Sequence, residues 1–336
     1  MRRIRVLIEI VLVFGMIGLL GGAGWFVWES RPPSEAGSGL VIFEVAKGQS
    51  VRSVAESLKA RGLIRKSAPF ILLYKIFHED ENIKAGEFAV PAGRGTKETL
   101  EVLLRGKIYL HPVTVAEGLT AAETFDVFLA ASFGTREEFE AGFKDTGEMA
   151  LIDPTAADLE GYLFPETYRL PKGATAAEIL SIMVAQFKDI FGPEARRRAA
   201  EIRMTPREAV ILASLIEKET SLPEEKPLVS AVFHNRLRIG MKLECDPTVI
   251  YALKRDGAYR GYLRKRDLKL DSPYNTYMVG GLPPGPICNP GRASIEAALF
   301  PATADYIFFV ADREGGHVFS RTLREHHNAV RAYRQK

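Results

Sequence analysis

Cysteine is almost absent: the 336-residue chain has two, Cys245 and Cys288. That excludes a disulfide scaffold and any cysteine-based zinc spacing, and leaves either one bridge or two buried thiols. A surplus of one charge is missing too, since 45 Lys and Arg face 42 Asp and Glu. A nucleic-acid binder normally carries a basic stripe, whereas the short clusters Arg196–Arg198 and Arg264–Arg266 read as solvated helix faces, and no nucleic-acid partner is expected. His326 and His327 are adjacent, so on a helix they diverge and make a poor metal pair. Gly280, Gly281 and Gly285 lie among prolines, without the strand and helix that a dinucleotide site needs. No pattern calls for a metal or a cofactor, and none is expected.

Long apolar runs are scarce as well, with one exception. MRRIRVLIE is followed by an uncharged stretch from Ile10 to Trp28. At about 1.5 Å per residue this nearly spans a hydrocarbon core of roughly 30 Å. Arg2, Arg3 and Arg5 precede it, so the positive-inside rule leaves the amino terminus in the cytoplasm and exports the rest. A cleaved signal peptide is the alternative, with Gly21–Gly24 offering small residues for cleavage, but secretory apolar cores are usually shorter. The chain thus reads as an anchor over 1–29 in the inner (cytoplasmic) membrane and a Pro-, Gly- and Ser-rich linker over 30–39.

Beyond the linker a small pattern recurs: VAKGQS (Val45–Ser50), VAEGLT (Val115–Thr120) and LPKGAT (Leu170–Thr175), with VPAGRGT (Val90–Thr96) one residue longer. Each follows a β-prone run, turns at Gly and offers Ser or Thr as the N-cap of a helix-period segment, the first of which puts Val51, Val54, Ala55 and Leu58 on one face. Common punctuation and a true internal repeat explain this equally. The fold class is α+β, with short strands and helices over 40–150 and a second region over 151–336. There, helices are expected over 176–191, 205–220 (Thr205 as N-cap, Pro206 at N1), near 294–299 and near 321–333. A hairpin is expected in YIFFVADREGGHVFS. The long Gly-, Pro-, Asn- and Tyr-rich stretches between them read as cleft walls.

The stretch ILASLIEKET (Ile211–Thr220) carries the chemistry. On a helical wheel Glu219 falls at about 80°, inside the apolar stripe of Ile211, Leu212, Leu215 and Ile216, while Glu217 falls near 240° and faces solvent. A carboxyl in apolar surroundings keeps its proton near neutral pH and can deliver it as a general acid, the service that glycosidic cleavage needs. A structural Glu paired with an Arg or a backbone amide fits the position equally well.

LEGYLFPETYRL, ILASLIEKET, VFHNRLRIGMKLECDPTVIY, SPYNTYMVGGLPPGPICNPG and FVADREGGHVFS, in this order behind an amino-terminal anchor, resemble the MltG (YceG-like) family of endolytic murein transglycosylases. The resemblance covers nearly everything after the linker. It implies that Glu219, the second Glu of EKET, is the catalytic residue, protonating the oxygen between N-acetylmuramic acid and N-acetylglucosamine. As carboxylate it then takes the proton of the muramyl 6-hydroxyl, which closes a 1,6-anhydro ring. The resemblance further implies a LysM-like, glycan-binding α+β subdomain over 40–150 and a mixed α+β catalytic domain over 151–336 with a Glu-bearing helix. Peptidoglycan is the implied substrate, and association with peptidoglycan synthases follows from it.

Around Glu219 the substrate-binding candidates are Glu166 and Tyr168 in FPETY, Asn235 in HNRL, Asp246, the SPYNTY residues Tyr274, Asn275 and Tyr277, and Gly281 in the following loop. Each has a plainer reading. Asp246 precedes Pro247 and suits an N-cap, the tyrosines suit a core, Asn235 and Arg236 can bridge helices, and the glycines can serve turn geometry alone. A water-using hydrolase with Glu166 or Asp246 as second carboxylate, and a glycan-binding scaffold without turnover, are the rival functions.

Overall fold

The computed structural model describes residues 2–34, 37 and 39–334. Residues 35, 36 and 38 of the expected linker and residues 335 and 336 of the expected catalytic domain lie outside the described residues. Helix α1 (Arg2–Glu29) includes an apolar span, Ile4–Glu29, of 26 residues with mean hydropathy 2.4, long and apolar enough to cross a membrane.

Packing divides the chain into two compact units, Met1–His111 with Arg169–Lys172, and Pro112–Tyr168 with Gly173–Lys336. The segment around 121–143 packs on itself, with Phe125 and Phe128 stacked on Phe139 at 5.2 and 5.7 Å, and joins the rest of the second unit through Phe128, whose ring lies 6.5 Å from that of Tyr168.

In the first unit, β1 (Leu40–Val45) and β2 (Gly86–Pro91) pair antiparallel, with Leu40 opposite Pro91 and Val45 opposite Gly86. Between them run α2 (Val51–Ala60) and α3 (Ser67–Phe77), and α4 (Thr96–Arg105) follows. Alternate strand residues point one way, so Phe43, Val45, Phe88 and Val90 meet Val54, Ala55 and Leu58 of α2 and Phe70 of α3 in one core.

The chain then passes through β3 (Leu110–Thr114), α5 (Ala121–Ala130), α6 (Arg136–Phe143) and β4 (Thr167–Pro171), with β3 and β4 paired. Helices α7 (Ala176–Ile190), α8 (Pro193–Glu201), α9 (Pro206–Glu219), α10 (Lys226–Arg238), α11 (Asp246–Arg255) and α12 (Arg292–Leu299) come next. A hairpin of β5 (Phe308–Ala311) and β6 (His317–Ser320) and a last helix, α13 (Leu323–Arg334), follow.

The recurring turn has one physical basis. Gly48, Gly93, Gly118 and Gly173 all adopt left-handed backbone, with φ between 74° and 81°, a conformation that only glycine takes without strain. Ser50, Thr120 and Thr175 then cap α2, α5 and α7 by accepting a backbone N–H. In the fourth copy the cap is Gly95 and Thr96 is the first helical residue.

Helix α9 starts where Thr205 and Glu208 close a capping box with Pro206 at the first position. Every residue from Ala209 to Ile216 is buried, because α8, α10, α11 and α12 all pack on it. From Ala209 to Ile216 the helix has no solvent face, and in the last turn Lys218 rather than Glu217 is exposed, which corrects the wheel reading of Glu217. Its side chain is only 7% exposed and pairs with the equally buried Lys226 at 3.1 Å. It also accepts from Gly291 N at 3.0 Å and Ser294 Oγ at 2.7 Å. One carboxylate thus fastens the end of α9 to α10 and α12.

Removing one partner of a buried ion pair strands the other, at a cost of about 3–5 kcal/mol. Glu217→Ala should therefore lower the melting temperature by roughly 10 °C in a calorimetric scan. A shift within 1–2 °C would mean that this network does not hold the helix.

Candidate active site

Two residues beyond that anchor, α9 ends on Glu219. Thr220 leaves the helix in extended backbone, so the carboxyl sits at the end where unsatisfied carbonyls concentrate negative charge and disfavour its ionised form. Glu219 is half-buried and lies on the wall of a cavity of about 480 Å³, together with Arg236, Asp246, Tyr277, Phe308 and His317. Burial raises its pKa to about 7, against a hydrogen bond from the Cys245 thiol; the Asp246 charge adds to the rise, while His317 and Arg236 oppose it. Near neutrality the group is therefore divided between acid and conjugate base.

The neighbours are held firmly. Arg236 donates Nε to Ile307 O at 2.7 Å and Nη1 to Leu243 O at 2.8 Å, which fixes its guanidinium between α10 and the hairpin. Tyr277 donates its hydroxyl to Asp246 Oδ1 at 2.6 Å. His317 is gripped from behind: its backbone N–H donates to Glu225 Oε1 at 2.7 Å, and its Nδ1 lies 2.7 Å from Oε2. Burial alone would raise the pKa of Glu225, but its bonds to the His317 ring and backbone hold it below the ordinary value. The Glu219 carboxyl thus faces a room with fixed cationic, anionic and aromatic walls.

The candidate residues scatter around this room. Asp246 and Tyr277 share the cavity with Glu219. Asp246 is the first residue of α11, and the cap position falls on Cys245, so its carboxylate does not cap the helix. Asn235 and Gly281 line a different and larger cavity of about 830 Å³, and the Asn235 amide donates to Ala304 O and Tyr306 O, a bridging role. Tyr274 lies against Tyr251, ring centroids 5.0 Å apart, with Arg255 over its face. Asn275 is fully buried, its amide spent on Leu268 O and Leu270 O. Tyr168 is buried and bonded to Phe164 O, and Glu166 is exposed and accepts its neighbour's N–H. Cys245 and Cys288 are both buried free thiols.

Several groups escaped the sequence reading. His317 and Glu225 are 92 positions apart, a separation that no local pattern reveals. His326 and His327 edge the Glu219 cavity, with His326 stacked on Phe308 at 5.1 Å and His327 exposed. Glu160 is a second neutral acid: burial raises its pKa to about 8, although it accepts from Ala121 N at 2.9 Å and Tyr251 Oη at 3.1 Å. Its signal was visible, a lone carboxylate between Leu159 and the aromatic run that begins at Tyr162.

Comparison with known proteins follows from this geometry. The profile of the YceG-like family matches residues 43–332. The endolytic murein transglycosylase of Bacillus subtilis (strain 168) is 30% identical over 94% of this chain and 91% of its own length. That of Streptococcus pneumoniae serotype 2 (strain D39) is 28% identical over 94% of this chain, which spans 63% of the pneumococcal protein. A crystal structure of a YceG-like protein from Listeria monocytogenes superposes with a TM-score of 0.59 at 30% identity, covering 86% of this chain and 98% of that one.

The two raised acids make stability fall with pH. The folded chain holds protons on Glu160 and Glu219 that the unfolded chain releases above its ordinary carboxyl pKa of 4.5, so the unfolded state binds fewer and stability declines until the folded values, about 8 and 7, are passed. Between pH 6.5 and 8, Glu160→Gln should remove roughly 2 kcal/mol of that decline, read by denaturant titration. An unchanged slope would show that Glu160 ionises normally. Separately, Asp246→Asn should move the ¹³C-detected carboxyl midpoint of Glu219 to lower pH, because the charge that raises it is gone. A midpoint that stays or climbs contradicts the coupling.

Proposed function

This chain belongs to the YceG-like family, and on that premise we propose that Glu219 is the acid with which it cuts the glycan strands of peptidoglycan. The activity is that of a lytic murein transglycosylase. The observation that carries the assignment is a carboxyl poised near neutrality and opening on a walled cavity.

Protonated Glu219 donates to the oxygen between N-acetylmuramic acid and N-acetylglucosamine, which makes a poor leaving group a good one. The resulting carboxylate takes the proton of the muramyl 6-hydroxyl as that oxygen bonds to C1 of its own sugar. The bond to the departing sugar breaks, a 1,6-anhydro ring closes, and Glu219 returns to its acid form without adding water. A pKa near 7 suits a group that must give and then take one proton. Tyr277 and Phe309 offer faces for the sugars, and His317 and Arg236 keep the developing carboxylate in a positive field.

The apolar span of α1 anchors the chain in a membrane, with the arginines of its first five residues on the cytoplasmic side and the catalytic cavity outside. In the first unit the paired strands with α2 and α3 act as the LysM-like holder of the glycan. A membrane-held enzyme of this kind works beside the synthases that extend the strands and limits their length. The second reading is hydrolysis, and one feature favours it: Asp246 shares the cavity and could activate water.

Digestion of purified sacculi separates these readings. Wild-type protein should yield 1,6-anhydromuramyl ends, and Glu219→Gln should lower their rate by about 10²- to 10⁴-fold. Equal product from both proteins would remove Glu219 from the reaction. Reducing ends carrying added water, lost on Asp246→Asn, would establish the hydrolase instead.

A further inference from the structure

A second cavity is larger than the one that Glu219 faces. About 830 Å³ in volume, it opens at the other end of α9, beside Arg203, Arg207 and Arg238. The last turn of α10 separates the two rooms: Arg236 lines the Glu219 cavity, while Asn235 and Arg238 line the larger one. Apart from His234 no ring faces it, so it lacks the aromatic platforms of the Glu219 cavity and offers Leu282, Pro283 and Pro284 instead.

Its charges are unequally committed. Arg207 is paired with Asp153 at 2.6 Å and also donates to Pro284 O at 2.7 Å. The Glu208 carboxylate caps Thr205 through its N–H at 2.7 Å and its hydroxyl at 2.9 Å. Arg203 and Arg238 are exposed, and among the described residues neither has a carboxylate within 4.0 Å. Arg203 is also an expensive residue for its position. It follows α8 with φ 59°, its N–H bonded to Ala200 O and that of Met204 to Ala199 O. Helices usually end this way on glycine, and another residue costs about 1 kcal/mol.

We propose that this cavity binds the acidic peptide that murein carries on its sugars, with Arg203 and Arg238 taking its carboxylates. The inference rests on the reading that the chain acts on murein. Guanidinium forks fit carboxylates in two parallel hydrogen bonds. The proline and leucine wall suits a peptide whose side chains are largely methyl groups, and the volume exceeds what one sugar fills. Sugar and peptide thus meet separate walls, the sugar the aromatic room and the peptide the cationic one.

Calorimetric titration of the full chain in detergent with a soluble muramyl pentapeptide tests this without turnover. The free-acid peptide should bind, and its carboxyl-amidated form should bind about tenfold more weakly. The double variant Arg203→Glu with Arg238→Glu should lose at least tenfold, yet cleave peptide-stripped glycan strands at the wild-type rate. Arg203→Gly, which the left-handed backbone accepts, keeps the fold and should still bind severalfold more weakly. Equal affinity for the two peptides, undiminished binding by the variants, or displacement of the peptide by equimolar glycerol phosphate would each overturn the assignment. Peptide binding without any strand cleavage by wild-type protein would instead refute the enzymatic reading and leave the peptide site standing.

Discussion

The buried pair of Glu217 and Lys226 is the constraint on which the site depends. Enclosing an ionised pair gains little net stability, because desolvation cancels most of the attraction. The Glu217 carboxylate also accepts from Gly291 N and Ser294 Oγ, so one group ties α9, α10 and the start of α12 together. Two residues later the helix delivers Glu219. The backbone that carries this carboxyl is thereby held beside Arg236, Asp246 and His317.

Glu219 and Glu160 show how one physical effect produces two roles. Burial raises both, to about 7 and about 8. Glu160 lies on the wall of a smaller cavity of about 320 Å³, but a backbone N–H holds one of its oxygens and the Tyr251 hydroxyl the other, so it joins α5 to α11. Glu219 lines the larger cavity of about 480 Å³. Commitment to neighbours rather than acidity separates the two, and the sequence does not encode that directly.

What was legible in the sequence was what local physics decides. The strand, glycine and hydroxyl-cap pattern gave the starts of α2, α5 and α7, since left-handed glycine and N-capping need only neighbouring residues. Thr205 and Pro206 marked the start of α9 in the same way, and the glycines of EGGH marked the hairpin turn between β5 and β6, where Gly315 takes φ 90°. The helical wheel misassigned Glu217, because a wheel supposes one continuous wet face, whereas α9 is enclosed from Ala209 to Ile216 and Glu217 is taken up by Lys226. The SPYNTY segment split three ways, with Tyr277 at the Glu219 cavity, Tyr274 beside Tyr251 and Asn275 in the core. Irregular backbone carries no period from which those directions could be read. The grip of Glu225 on His317 depends on a contact that only the completed fold creates.

A single turn of α10 forms the wall between two rooms. Asn235 and Arg238, which line the larger one, lie one and two residues from Arg236, which lines the smaller. Linkage is reciprocal: if a guest that displaced the backbone of this turn changed the proton affinity of Glu219, the proton would change the guest's affinity by the same factor. A guest of that kind would be an effector of the smaller room, and acidity in one would be felt as tightness in the other.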